Sequence, residues 1–93
     1  MKPTTVVHVM WHDAHCDSDT WTSIDDIGDE PCVVHTVGYL LVDKKPNHVT
    51  VVQSFIDVDE PDVDAVLSIP IGMVRSMVVL SPISESTSRR ASR

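Results

Sequence analysis

The sequence predicts an all-β domain, and two features of its composition and patterning support that class. Hydrophobic residues make up 42% of the 93 residues but aromatic residues only 4%, and Val and Ile dominate the apolar set. β-branched side chains favour strands over helices. A chain of this length forms one small domain, predicted over residues 1–81. Residues 82–93 form a Ser/Arg-rich tail with too little apolar surface to fold, so we expect it to be disordered.

The first strand is predicted over residues 4–11, which are largely β-branched. Successive side chains of a strand point to opposite faces. Val7, Val9 and Trp11 therefore share a wholly apolar face, which we predict to be the core side.

A short helical turn is predicted after this strand. Trp21, Ile24 and Ile27 recur at every third position, as suits one or two turns of α- or 3₁₀-helix. We expect this turn to lie across one end of a barrel, with Trp21 covering that end.

Residues 31–56 predict a β-hairpin. The run 31–42 is nearly continuous in apolar residues except at Gly38, where a glycine in mid-strand indicates a bulge or a sharp bend. Residues 43–47 supply the turn, and 48–56 return as the partner strand.

The remaining chain predicts a loop and two more strands. Residues 57–64 carry five acids and a proline, which indicates a solvated loop. Short strands are then expected over 65–69 and 76–80, with a tight turn over 70–74. Five strands with a bent second strand resemble the small open barrels of the SH3 and Sm-like kind, in which a 3₁₀ turn occupies the position of residues 69–74. An OB-like barrel is the nearest alternative.

Charge excludes several classes of partner. Fourteen acids against seven bases give a net charge of −7, and three of the four arginines, Arg89, Arg90 and Arg93, lie in the tail. Such a surface repels phosphate backbones, so we expect neither general nucleic-acid binding nor membrane association. The N-terminal region has no secretory or membrane-spanning pattern, and two cysteines do not make a disulfide framework; both features predict a cytoplasmic protein with free thiols.

The densest polar cluster surrounds the end of the first strand. Trp11, His12, Asp13 and His15 lie there, and Cys32 and His35 add zinc-type donors at a spacing of three. On an extended strand, however, positions three apart point to opposite faces. We therefore predict no metal, no cofactor and no catalytic residues, and take the cluster as part of a partner-binding surface.

A small anionic ligand is the other candidate for binding. In that interpretation Trp11 or Tyr39 would stack on a base, and Lys44, Lys45 or Arg75 would meet phosphates. Because bases are few, we rank a nucleotide ligand below a protein partner.

Two long segments of the sequence resemble short bacteriophage-encoded proteins. They are VVHVMWHDAHCDSDTWTSIDDIGDEPCVVHTVGYLL and, after the acidic loop, AVLSIPIGMVRSMVVL. The resemblance implies a small non-virion accessory protein in the host cytoplasm. It implies a non-enzymatic binding protein that inhibits host machinery or antiviral defence, or sequesters a nucleotide signal. The small size of the chain and the exposed sheet edge of an open barrel predict a homo-oligomer. The alternatives are a minor component of the virion and a metal-dependent hydrolase built on the histidines.

Overall fold

The computed structural model describes residues 2–14 and 20–81, and these are mostly β-structure. The seven strands are β1 (Val6–Asp13), β2 (Cys32–Leu41), β3 (His48–Val52), β4 (Ser54–Phe55), β5 (Val63–Asp64), β6 (Leu67–Pro70) and β7 (Val74–Leu80). Two 3₁₀ turns, Ile24–Asp26 and Ile71–Met73, complete the elements. The predicted tail over 82–93 lies outside the described residues.

One five-stranded antiparallel sheet dominates the fold, in the order β6-β3-β2-β1-β7. β6 and β7 are its two outer strands, so the sheet is not closed. The all-β class and the predicted hairpin are confirmed, with Tyr39 opposite Val52. The hairpin's second strand is shorter than predicted, because it ends at Val52 and β4 then pairs separately with β5 inside the acidic loop.

Most of the core lies on one face of this sheet, while Val52 and Thr50 are buried on the opposite face of β3. Val7, Val9 and Trp11 are buried, which confirms the predicted inward face of β1. They form one cluster with Val51 and Ile69. In a flat sheet, β6 and β1 would lie about 14 Å apart, because two strands separate them. The three-residue 3₁₀ turn Ile71–Met73 joins β6 to β7, which lies beside β1 on the other side of the sheet. A link this short requires the sheet to curl over its own inner face.

Gly38 permits a close approach of two strands. A Cβ built there would lie 2.9 Å from the Val52 carbonyl oxygen and 3.3 Å from Val51 Cβ. Of the two alternatives predicted at this glycine, a bulge or a sharp bend, the bulge is wrong, because the β1–β2 register runs through it without interruption. The register instead shifts between Met10 and Trp11 where β1 faces β7. The glycine is needed for space rather than for an irregular register.

The segment between β1 and β2 differs from the prediction. The 3₁₀ turn Ile24–Asp26 is a single turn and buries none of its residues. Trp21 is 99% exposed and Ile24 is 85% exposed, so the expectation that Trp21 covers a barrel end is wrong. A spacing of three aligns side chains on one side of a turn but does not specify what they contact.

We predict that Gly38→Ala lowers the free energy of unfolding by about 1–3 kcal/mol, the usual cost of overpacking. The added methyl group meets backbone, which moves only if the β2–β3 contact opens. Gly28→Ala is the matched control, because nothing lies within 4 Å of the methyl group that alanine would add there. Urea unfolding of both variants measures the difference. Equal stability of the two would contradict the close approach.

Candidate functional site

Trp11, a predicted stacking residue, belongs to the core. Its side chain is 8% exposed, and its indole Nε1 donates a hydrogen bond to Thr36 Oγ1 at 3.0 Å. A buried indole whose polar atom is satisfied has no face available to a ligand. Trp11 therefore anchors the site region structurally and does not form its surface.

Among the described histidines, one pair of rings lies in close contact. His8 Nε2 and His35 Nδ1 lie 2.9 Å apart, and the ring centroids are separated by 5.1 Å. One ring donates a hydrogen bond and the other accepts it, and the tautomers decide which ring is the donor. Sequence reasoning placed His35 with Cys32 and overlooked His8, although the diagonal position across a β-hairpin brings such side chains within reach.

The other members of the polar cluster do not converge. His12 lies opposite Val33 and Asp13 lies opposite Cys32, so neighbouring positions alternate between the two faces of the sheet. Cys32 and His35 consequently lie on opposite faces. His15 lies outside the described residues. Within residues 2–14 and 20–81, no group of three or more His, Cys, Asp or Glu side chains is placed to hold a metal ion.

Lys44 and Lys45 border a surface cleft of about 490 Å³, which adjoins a second one of about 760 Å³. Asp43 and Asn47, both in the left-handed region at φ 56° and 60°, flank the turn that carries the two lysines. Glu60 lines both clefts. Basic and acidic side chains therefore both border the clefts, so the electrostatic potential there is not uniformly positive, as a site for an anion requires.

Tyr39 and Arg75 do not line either cleft. The Tyr39 ring packs edge-on against Phe55, with centroids 5.0 Å apart. The Arg75 guanidinium donates to the carbonyl oxygens of Gly72 and Val74, at 3.0 and 3.4 Å. The residues proposed for one nucleotide site are thus distributed over separate parts of the surface.

The most exposed apolar surface lies on the β1–β2 connection. Trp21, Ile24 and Ile27, which we call the loop patch, are all exposed. Four acids accompany them, namely Asp25, Asp26, Asp29 and Glu30, and no Lys or Arg occurs between residues 3 and 43. The regular spacing of Trp21, Ile24 and Ile27 is visible in the sequence, but it predicts packing across one end of the domain and not exposure to solvent.

A second apolar surface lies along β7. Met77, Val78, Val79 and Leu80 are each between 42% and 58% exposed, although β7 is paired with β1 along one side. The sequence predicted this strand and gave no sign that it forms an edge.

No family model matches this chain, and neither a curated protein nor a solved structure shows significant similarity to it. In the described part of the chain, no helix has both the length and the apolar character needed to cross a membrane. The function is therefore inferred from the surfaces described above.

The two tryptophans should respond oppositely to truncation. We expect Trp11→Ala to cost about 3–5 kcal/mol of unfolding free energy, because it leaves a cavity in a small core. Trp21→Ala should change stability by less than about 0.5 kcal/mol, as is usual for a surface residue. Chemical denaturation followed by circular dichroism measures both values. A large loss of stability in Trp21→Ala would show that the loop patch packs within the domain.

Proposed function

We propose that this chain is a non-enzymatic, bacteriophage-encoded binding protein that acts in the host cytoplasm on host machinery or antiviral defence. The observation that carries the proposal is the loop patch, in which Trp21 is 99% exposed beside Ile24 and Ile27. Exposed apolar side chains in water favour burial against a partner, at roughly 25 cal/mol for each Å² removed from solvent. Tryptophan is among the residues that most often dominate binding energy at protein interfaces.

Charge defines the partner's chemistry. The segment 25–30 carries four acids next to the loop patch in the sequence, and the whole chain has a net charge of −7. An apolar patch with an acidic rim complements an apolar pocket with a basic rim. We infer that the partner is a basic host protein, and that the acidic field accelerates their encounter. A nucleic-acid-binding host protein has this chemistry.

The fold supports the proposal as a scaffold. The strand order β6-β3-β2-β1-β7, with a 3₁₀ turn at Ile71–Met73 just before the last strand, supports the SH3/Sm-like type of open barrel. Small barrels of this kind present long loops from a rigid sheet, and the fold does not itself specify a function. A homo-oligomer would present several copies of the loop patch at once and so raise the apparent affinity.

Sequestration of a nucleotide signal is a second candidate. The clefts beside Lys44 and Lys45 favour it. Asp59 and Glu60 border the same space and oppose a phosphate. We therefore rank this function second.

The direct test removes the loop patch without disturbing the domain. We expect the double variant Trp21→Ser and Ile24→Ser to lose host partners at least tenfold in quantitative affinity capture from host lysate. Val42→Ser is the matched control, because Val42 is exposed and lies outside the loop patch. The lost partners should be basic proteins. If both variants captured the same proteins in the same amounts, the loop patch would not be the binding surface.

The acidic rim should act mainly on the association rate. We expect Asp25→Asn with Asp26→Asn to slow association with the captured partner several-fold at low salt, and little at high salt, because salt screens exposed charges. Asp59→Asn with Asp62→Asn is the matched control, since it removes the same charge from another loop. Stopped-flow or surface-plasmon measurements at two salt concentrations give the rates. Equal slowing in both double variants would assign the effect to net charge alone.

A further inference from the structure

We propose that two copies of this chain pair through their β7 strands, antiparallel and about a two-fold axis, so that their two sheets become one continuous sheet. The inference deepens the homo-oligomeric part of the proposed function by naming the edge and the symmetry. It does not depend on the loop patch, which lies on another part of the chain.

The β7 edge has free pairing capacity. β7 is seven residues long, and one side of it pairs with β1 from Leu80 opposite Val6 to Ser76 opposite Met10. Its other side pairs with none of the described strands. A strand edge of this length presents a row of backbone donors and acceptors to any further strand.

Exposed edges are usually short, or carry proline, lysine or a bulge that turns them away. β7 carries one register shift, at Arg75, its single charged residue, which lies near its start. Beyond that shift, the run from Ser76 to Leu80 is regular and has no proline, no charge and no bulge. The Arg75 guanidinium is held by the carbonyl oxygens of Gly72 and Val74, within its own chain segment.

Both faces of β7 carry exposed apolar side chains that a neighbouring strand would cover. Val79 lies opposite Val7 on the core face, and Val78 lies opposite His8 on the outer face. Both valines are more than half exposed. A strand added beside β7 places side chains next to both rows, because side chains alternate along every strand.

A second β7 fits this edge better than the opposite edge of the sheet does. β6 is four residues long and ends at Pro70, which has no backbone N–H to donate. A β7–β6 ladder is limited to that length, whereas the regular run Ser76–Leu80 of β7 contains no proline. Antiparallel self-pairing is isologous, so the apolar run faces its own copy. β7 contains no acid, so the contact opposes no carboxylates even though the chain is acidic.

The test introduces opposite charges at position 78. With Met77 opposite its own copy, the two Val78 side chains lie diagonally across the axis on the same face, within reach of long side chains. We expect the full-length chain to be dimeric in native mass spectrometry and sedimentation at micromolar concentration. Val78→Lys and Val78→Glu should each weaken dimerisation at least tenfold. Mixing the two variants should restore a dimer that contains one copy of each.

Controls separate pairing from folding. Val42→Lys and Val42→Glu make the same changes at an exposed site away from β7 and should remain dimeric. Circular dichroism should show that the position-78 variants stay folded. If one of them does not, Ser76→Lys and Ser76→Glu repeat the test at a neighbouring exposed position.

Three results would overturn the proposal: a monomeric wild-type chain, dimers unaffected by either charge, or single variants that are monomeric and fail to combine. If an unrelated protein binds β7 in place of a second copy, the wild-type chain alone is monomeric, which is the first of these results. The double variant Trp21→Ser and Ile24→Ser should remain dimeric, while Val78→Lys should still capture the basic partner with lower avidity. Failure of the dimer and failure of the proposed function are thereby distinguished.

Discussion

The curl of the sheet between β2 and β3 is the constraint on which the rest of the structure depends. Gly38 allows the Val52 carbonyl to approach to a distance at which a side chain would clash. This approach brings β3 and β6 over the inner face of β1, where Ile69 and Val51 join Val7, Val9 and Trp11. A side chain at position 38 would push β3 away from β2 and loosen the inner face that the curl encloses.

The same geometry explains why so much apolar surface stays outside. A small curled sheet encloses mainly the side chains on its inner face, and a domain of this size covers little of its outer surface apart from Thr50 and Val52 of β3. The sheet is not closed, so β7 remains an edge, and in the described part of the β1–β2 connection Trp21 stays exposed. Exposed apolar clusters of this kind typically mark interaction sites. The loop patch and β7 are therefore interpreted as surfaces for two different partners, a basic protein and a second copy.

The sequence predicted the elements whose side chains pack locally. Strict alternation in the first strand identified Val7, Val9 and Trp11 as the core face, because the period of a strand leaves only two choices. The sequence did not predict the break at Val52, since Phe55 and Ile56 resume the apolar run after only two polar residues while the chain leaves the sheet.

The candidate site was less accessible from the sequence. Polar residues near one another in the chain, such as His12 and Asp13, lie on opposite faces of β1. His8 and His35 meet because of strand register, which depends on long-range pairing. The exposure of Trp21 depends on the absence of a packing partner, which no local pattern encodes. Tertiary contacts thus decide which candidate residues form a surface and which form the core.

The most direct measurement of the curled sheet is a methyl and aromatic nuclear Overhauser experiment on the full chain in solution. We predict contacts between the methyl groups of Ile69 and the side chains of Val9 and Trp11, although their strands are separated by two others in the sheet. Contacts confined to neighbouring strands, with none between Ile69 and β1, would indicate a flat sheet and contradict the curl.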